Sequence, residues 1–153
     1  VADATFLASA GLNRLGVRDH ACELLDPDQF IPAVGQGILA IAAMPDRLSG
    51  RVRQALLSLS DLETERAAVA ERSALATLDG SCRTPIAAHL FRDAPGHYRL
   101  VASVAHPSGA PAFRSEKDLV SAELFFPNFF DLGKAVGKDI LEQAGGQLPH
   151  LEA

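Results

Sequence analysis

The sequence has few cysteines, little lysine and no long apolar run, and each scarcity excludes a class of protein. Its two cysteines, Cys22 and Cys82, stand far apart and outside any Cys-x-x-Cys pair, which argues against a disulfide scaffold or zinc site and favours a reducing cytoplasm. With 19 acidic against 14 basic residues and a formal net charge of -5, no nucleic-acid partner is expected. No uninterrupted apolar run reaches the roughly 18 residues of a membrane helix, so no membrane partner is expected.

The first third of the chain contains apolar segments typical of strands but too few elements to bury them. Residues 3–9 form a strand-like run, and residues 10–15 predict a helical turn closed by Gly16. Residues 38–43 form the continuous apolar run of a strand buried on both faces. Because such strands need partners, and because the sequence begins at Val1 rather than Met, we expect a fragment of a longer protein.

The rest of the chain is predicted to fold as a self-contained α+β domain. Apolar spacing predicts a helix over residues 49–58 and a longer one that Asp61 or Ser60 can cap, which runs to about Leu78 and is stopped by Gly80. A last helix is expected over 128–144. Strong turn signals separate three further apolar segments and favour an antiparallel meander, with strands at 85–91, 98–105 and 112–120.

Cys82 lies in a polar loop that is opened by Gly80 and placed between the long helix and an apolar strand. A free cysteine is most often a small buried hydrophobe. Here the thiol is expected to reach solvent, and Arg83 favours the thiolate that acts as nucleophile. The carbonyl end of the preceding helix opposes that effect. We therefore expect a nucleophilic thiol without exceptional acidity at Cys82, whereas Cys22, with no recognisable partner set, is expected to be structural or incidental.

Three motifs follow one another along the chain. They are Ala10-Gly11-Leu12-Asn13-Arg14-Leu15-Gly16, Pro32-Ala33-Val34-Gly35-Gln36-Gly37 and Asp79-Gly80-Ser81-Cys82-Arg83-Thr84-Pro85-Ile86-Ala87-Ala88-His89. In this order they resemble the C-terminal portion of the porphobilinogen deaminase (hydroxymethylbilane synthase) family. The resemblance implies an α+β fold, in which the end of an α/β periplasmic-binding-protein-like domain precedes a small α+β domain with a three-stranded antiparallel sheet and flanking helices. Residues 1–58 would form part of domain two and the return strand to domain one, and residues 59–153 the C-terminal cofactor-attachment domain.

The resemblance also implies a cytoplasmic transferase of porphyrin and heme biosynthesis. Such an enzyme condenses four porphobilinogens stepwise into hydroxymethylbilane on a dipyrromethane primer, which is the cofactor and is joined to Cys82 by a thioether. Ser81 and Arg83 flank that attachment point and belong to the implied cofactor site. The expected partners are porphobilinogen, the linear pyrrole intermediates and the missing N-terminal half of the enzyme.

Arg14, Gln36 and Gly37 complete the implied cofactor site. On spacing alone, Arg14 is a solvated helix residue and the two glycines around Gln36 mark only a turn. In the family that the chain resembles, the matching arginine binds pyrrole carboxylates, a task that suits the guanidinium fork. The segment around Gln36 either donates to the pyrrole chain or permits a bend between domains, and both roles remain open.

Two features separate the chain from a complete family member. The family has Glu-x-Arg after the glycines, but this chain has Ala42-Ala43-Met44, so a carboxylate clamp is lost unless Arg47 replaces it. The earlier half, which holds the family's catalytic residues, is absent. No catalytic residue is therefore assigned, and the fragment alone is expected to be inactive. The alternative is a noncatalytic module, a degenerate paralogue that binds a tetrapyrrole or a partner protein.

The remaining polar residues receive structural interpretations. Glu71 and Arg72 fall in an Ala-Glu-Arg pattern before the cysteine loop that the family shares, and we expect them to pack and cap around that loop. The histidines, including His89 and His97, do not have metal-ligand spacing. They are expected to be structural or solvated, and no metal site is predicted.

Overall fold

The computed structural model of the protein describes residues 3–79, 85–106, 109, 112–121, 123–146 and 148. Within these residues it contains four α-helices and a three-stranded sheet. The helices are α1 (Ser9–Leu15), α2 (Gly50–Ser58), α3 (Leu62–Thr77) and α4 (Phe126–Gln143), and the strands are β1 (Ile86–Ala94), β2 (His97–Ala105) and β3 (Ala112–Val120). Among the described helices, none is both long enough and apolar enough to cross a bilayer.

The chain forms two compact units, residues 1–30 and residues 31–153. In the first unit, Gly16 follows α1 with φ at 70°, which confirms the predicted helical turn and its left-handed end. The rings of Phe6 and Phe30 stack there with centroids 5.3 Å apart. The units divide after Phe30, whereas the sequence places a domain boundary near residue 58, and that boundary stays a prediction.

The sheet of the second unit is the predicted antiparallel meander, in the order β1-β2-β3. Along β1 the buried residues Ile86, Ala88 and Leu90 alternate with half-buried ones, because successive side chains of a strand point to opposite faces. Gly96, with φ at 75°, lies in the turn between β1 and β2. The α+β class and the three-stranded sheet of the predicted C-terminal domain are therefore confirmed.

Helices α3 and α4 pack against each other and, together, against the apolar face of the sheet. At their contact the helices come very close, since a Cβ added at Gly133 would lie 2.3 Å from the carbonyl oxygen of Ala70. The rings of Tyr98 and Phe129 meet edge to face in the same core, with centroids 5.0 Å apart. Asp61 caps α3 by accepting a hydrogen bond from the Thr64 amide at 2.8 Å, as the sequence predicts.

Two strands predicted in the first third of the chain are wrong for the described structure. Residues 3–8 precede α1 without a strand partner, and residues 38–43 form no strand either. Leu39 is 93% exposed and Ile41 is 64% exposed. A strand requires a neighbour for its backbone hydrogen bonds, and the described residues provide none here. The larger α/β domain implied by the resemblance therefore stays a prediction.

Candidate functional site

The cysteine loop joins the end of α3 to the start of β1. Its residues 80–84, which include Ser81, Cys82 and Arg83, lie outside the described residues, so their predicted roles stay predictions. Both ends of the loop are described. Asp79 adopts a left-handed conformation with φ at 49° just after α3, and the carbonyl of Pro85 accepts a hydrogen bond from the Ala105 amide at 3.0 Å. Two elements of the buried core thus fix the points where the loop begins and ends.

Residues 32–37, here called the glycine segment, run along the outer edge of β1. Ala33 forms an isolated antiparallel bridge with Ala87, and the Ala88 amide donates to the carbonyl of Pro32 at 3.1 Å. The segment then turns sharply, with φ at 73° for Gly35 and 84° for Gly37. Glycine reaches such angles without steric cost. The turn leaves Gln36 and Gly37 exposed, so the Gln36 amide is accessible to a ligand.

Glu71 links the glycine segment to β1 from inside the core. Glu71 is only 3% exposed. One carboxylate oxygen, Oε2, accepts a hydrogen bond from the Gly35 amide at 2.8 Å, and the other, Oε1, accepts one from the Leu90 amide at 3.1 Å. His89 Nδ1 lies 3.6 Å from Oε1. Two amide donors therefore compensate for burying this carboxylate.

Arg14 lies in the first unit, in the last turn of α1, and is exposed to solvent. Its exposed guanidinium is accessible to a carboxylate ligand, which the planar fork of an arginine suits. Ala42 and Met44, which replace the charged residues of the family pattern, are also exposed. Arg47 ends the short 3-10 turn Pro45–Arg47, and its side chain lies outside the described residues. Whether Arg47 replaces the lost clamp stays a prediction.

A solvent-open cavity of about 320 Å³ lies beside Gly37, between the glycine segment and the start of α3. Asp61 and Glu65 contribute carboxylates to its lining, and neither Arg nor Lys is among the described residues that line it. Hydrogen bonds from the side chain and then the backbone of Thr64 lower the pKa of Asp61, which favours its negative form. The cavity by itself is therefore unsuited to ligands that carry several carboxylates.

A polar network surrounds the hydroxyl of Tyr98 at the end of the sheet. This hydroxyl donates to Glu63 Oε2 at 2.7 Å and accepts from Arg66 Nη1 at 2.8 Å. Arg66 also pairs with Glu63 Oε1 at 2.7 Å, while Arg92 lies 3.8 Å from the same oxygen. Burial, and then the hydrogen bond to Glu63, raise the pKa of Tyr98 above its ordinary value. The network satisfies a buried phenol and serves the fold.

Asp93, His97 and Asp118 form a surface cluster whose potential ligand atoms lie within 4.8 Å of one another. His97 Nε2 lies 2.8 Å from Asp118 Oδ1, and Arg99 Nε donates to Asp93 Oδ2 at 3.2 Å. Because a guanidinium already neutralises one carboxylate and water screens the group, these contacts are those of a surface charge network. Strand register creates the cluster, so the spacing of the histidines along the sequence could not reveal it.

Glu71 is the residue of the site whose role the sequence did not indicate. Its pattern predicts packing and capping around the cysteine loop, which stays a prediction because residues 80–84 lie outside the described residues. The described contacts run to Gly35, which is 36 positions away, to Leu90 and to His89 at the end of the cysteine motif. An isolated Glu on a long helix usually marks a solvated face. The feature that could have indicated its burial is its position, because Glu71 shares the buried side of α3 with the small residues Ala70 and Ser73.

Comparison with known proteins gives a consistent match. Residues 1–54 match the sequence model of the family described as "Porphobilinogen deaminase, dipyromethane cofactor binding domain". This range includes Arg14, Gln36 and Gly37 and ends before Cys82. The chain is 41% identical over 145 residues, 94% of its length, to the porphobilinogen deaminase of Nitrobacter hamburgensis, and covers 43% of that protein.

Two further relatives carry the same name. The chain is 56% identical over 88 residues to the enzyme of Nitrobacter winogradskyi, a match that covers 58% of this chain and 27% of the relative. It is 36% identical over 145 residues to the chloroplastic enzyme of Pisum sativum, which covers 95% of this chain and 38% of the relative. The chain thus spans less than half the length of the curated relatives it matches.

The small α+β domain with the glycine segment on its edge strand is thus found in a chain whose first 54 residues match a cofactor-binding family model. Along most of its length the chain is similar to the C-terminal portion of porphobilinogen deaminases.

Proposed function

We propose that this chain is the cofactor-carrying portion of a porphobilinogen deaminase and that it acts as a transferase once combined with the N-terminal half of such an enzyme. The reaction is the stepwise condensation of four porphobilinogens into hydroxymethylbilane, and the chain alone is inactive. The observation that carries the proposal is similarity to the Nitrobacter hamburgensis enzyme along 94% of this chain. The proposal includes action in the cytoplasm, without a nucleic-acid or membrane partner.

In this proposal Cys82 holds dipyrromethane through a thioether, and Ser81 and Arg83 adjoin the attachment point. When bound, dipyrromethane supplies the terminal pyrrole carbon to which new units are added. The exposed guanidinium of Arg14 and the exposed amide of Gln36 suit the carboxylates and pyrrole groups of such a ligand. Gly37 permits the turn that exposes Gln36. In the proposed full-length enzyme this chain follows the N-terminal half. Residues 1–58 complete its domain two and form the return strand to domain one.

A second candidate is a noncatalytic module that binds a tetrapyrrole or a partner protein. Ala42 and Met44 favour it, because they stand where the family carries charged residues that clamp carboxylates. The acidic lining of the cavity beside Gly37 favours only the form that binds a partner protein, since carboxylates repel a polyanionic pyrrole chain. This candidate requires that the chain produce no turnover even when the N-terminal half is supplied.

The decisive experiment joins this chain to the N-terminal half of the Nitrobacter hamburgensis enzyme and measures ammonia release from porphobilinogen. The intact mass is recorded under denaturing conditions in parallel. We expect ammonia release and a mass increase of two porphobilinogens less two ammonias, located on the Cys82 peptide. Attachment itself frees two ammonias per chain, so turnover is ammonia release beyond that amount. Absence of such turnover, with Cys82 either modified or bare, would contradict the first candidate and favour the noncatalytic module.

A substitution tests the attachment site directly. In the joined protein, Cys82→Ser is expected to abolish the mass increase and turnover, because a serine hydroxyl is a far weaker nucleophile than a thiolate. The matched control is Cys22→Ser, at an exposed thiol whose described contact is a 3.9 Å approach to the carbonyl of His20. The control should keep both the covalent mass and the activity. Retention of covalent dipyrromethane by Cys82→Ser would show that another residue carries it.

A further inference from the structure

We propose that Glu71 is a positioning residue, which fixes the glycine segment to β1 and so holds Gln36 in a constant place relative to the strand that follows the cysteine loop. The assignment of Gln36 to the pyrrole chain rests on the proposed function. The fixing of the segment rests on the described contacts of Glu71 alone. The two parts are therefore tested separately.

The carboxylate of Glu71 binds two backbone amides that are distant from it and from each other in sequence. Oε2 accepts from Gly35 at 2.8 Å and Oε1 accepts from Leu90 at 3.1 Å. Because Glu71 is 3% exposed, water competes little for either bond, and hydrogen bonds to a charged acceptor are stronger than neutral ones. Gly35 directly precedes Gln36, so the first bond fixes the backbone from which the Gln36 side chain extends.

The surroundings of Gly35 explain why this bond matters. The start of the glycine segment is tied to β1 by backbone contacts at Pro32 and Ala33. Farther along, the Gln36 amide donates to the Ala33 carbonyl at 2.9 Å and the Ile38 amide donates to the Gly35 carbonyl at 3.1 Å, so the turn is closed by its own backbone. A Cβ added at Gly35 or Gly37 would meet nothing within 4 Å, so no packing at these two positions ties the turn to the core. The bond from Glu71 to the Gly35 amide supplies that link.

The first test measures amide hydrogen exchange in this chain by NMR. Two variants are compared with the unchanged protein. Glu71→Gln keeps the shape but removes the charge, and Glu71→Asp keeps the charge but is one methylene too short to reach both amides. We expect the Gly35 amide to exchange at least about tenfold faster in both variants. That factor is the change in exchange rate expected when one hydrogen bond to a charged acceptor is lost. Amides of β2 and β3 should change by less than about twofold, because their bonds lie within the sheet.

The matched control is Glu142→Gln, the same chemical change at an exposed position of α4, which should leave Gly35 exchange unchanged. Unaltered Gly35 exchange in both Glu71 variants would overturn the proposal. Equal acceleration of all amides in both variants would also overturn it, because Glu71 would then support the fold as a whole rather than the glycine segment.

The second test uses the joined protein described above and separates KM from kcat. Glu71→Asp is expected to raise KM for porphobilinogen about tenfold and to change kcat less than threefold, with the covalent mass on Cys82 retained, because a displaced Gln36 weakens binding rather than attachment. An unchanged KM would overturn the link between Glu71 and the ligand. Failure of the unsubstituted joined protein to turn over would instead count against the proposed function, and the exchange result at Gly35 would be unaffected.

Discussion

Tyr98 is the single tyrosine of a chain without tryptophan, so its ionisation can be followed by phenolate absorbance without interference. Burial raises the pKa of Tyr98 above the ordinary value of 10.0, and the hydrogen bond and charge of Glu63 raise it further, while Arg66 and Arg92 oppose the shift. We predict a titration midpoint above 10.0 in the folded protein. A raised pKa means that this contribution to stability is complete below pH 10 and is lost as the pH rises through the folded-state pKa.

Two comparisons test the cause of the shift. In concentrated urea the same phenol should titrate near its ordinary value, because unfolding removes both burial and Glu63. Glu63→Gln should lower the folded midpoint only in part, since burial is the larger cause. A folded midpoint at or below that of the urea-unfolded chain would contradict the buried position of Tyr98.

At the scale of the element, the contact between α3 and α4 depends on glycine. A Cβ added at Gly133 would lie 2.3 Å from the carbonyl oxygen of Ala70 and 2.9 Å from the amide nitrogen of Ala74. Both are backbone atoms, which cannot rotate away from an added methyl group as a flexible side chain can. Gly133→Ala is therefore expected to reduce the free energy of unfolding by about 1–3 kcal/mol, as overpacked cores do, although alanine favours helices. Urea unfolding followed by circular dichroism measures the change.

Gly50→Ala provides the matched control for that substitution. Gly50 begins α2 in the same unit, and a Cβ added there would meet nothing within 4 Å. The control should leave the free energy of unfolding unchanged or slightly higher, because alanine restricts the unfolded chain more than glycine does. A Gly133→Ala variant as stable as this control would mean that α3 and α4 are farther apart than described.

The elements that were predicted correctly carry local signals. α3 begins after the capping Asp61, and the strands of the meander are separated by Pro and Gly turns, so a short stretch of sequence determines each of them. The candidate site is different. The roles of Arg14, Gln36 and Gly37 are predicted from their motifs and stay predictions, whereas the bond from Glu71 to Gly35 joins residues far apart in sequence. Such contacts follow from tertiary packing and leave no periodic pattern.

At the scale of the whole molecule, residues 38–43 have the composition of a buried strand without the neighbours to form one. Apolar sequence alone does not make a strand, because the backbone of a strand must pair with another. Leu39 is 93% exposed, and Ile41 and Met44 are 64% and 62% exposed. The strand predicted here is therefore wrong for the described chain, and the expectation that this run pairs with a partner stays a prediction. Relatives more than twice as long supply candidate partners.

We predict that residues 38–43 become a paired strand when the chain is joined to the N-terminal half of the Nitrobacter hamburgensis enzyme. Their amides should exchange rapidly in the chain alone and at least about 100-fold more slowly in the joined protein, since ladder hydrogen bonds open only with partial unfolding. Amides of β2 should be equally protected in both.

Leu39→Asp gives an independent check. At an exposed site it should change stability of the chain alone by less than about 0.5 kcal/mol, but in the joined protein it would bury an unpaired charge and abolish ammonia release. Rapid exchange at 38–43 in an active joined protein would show that this segment stays unpaired and that its apolar side chains serve another contact.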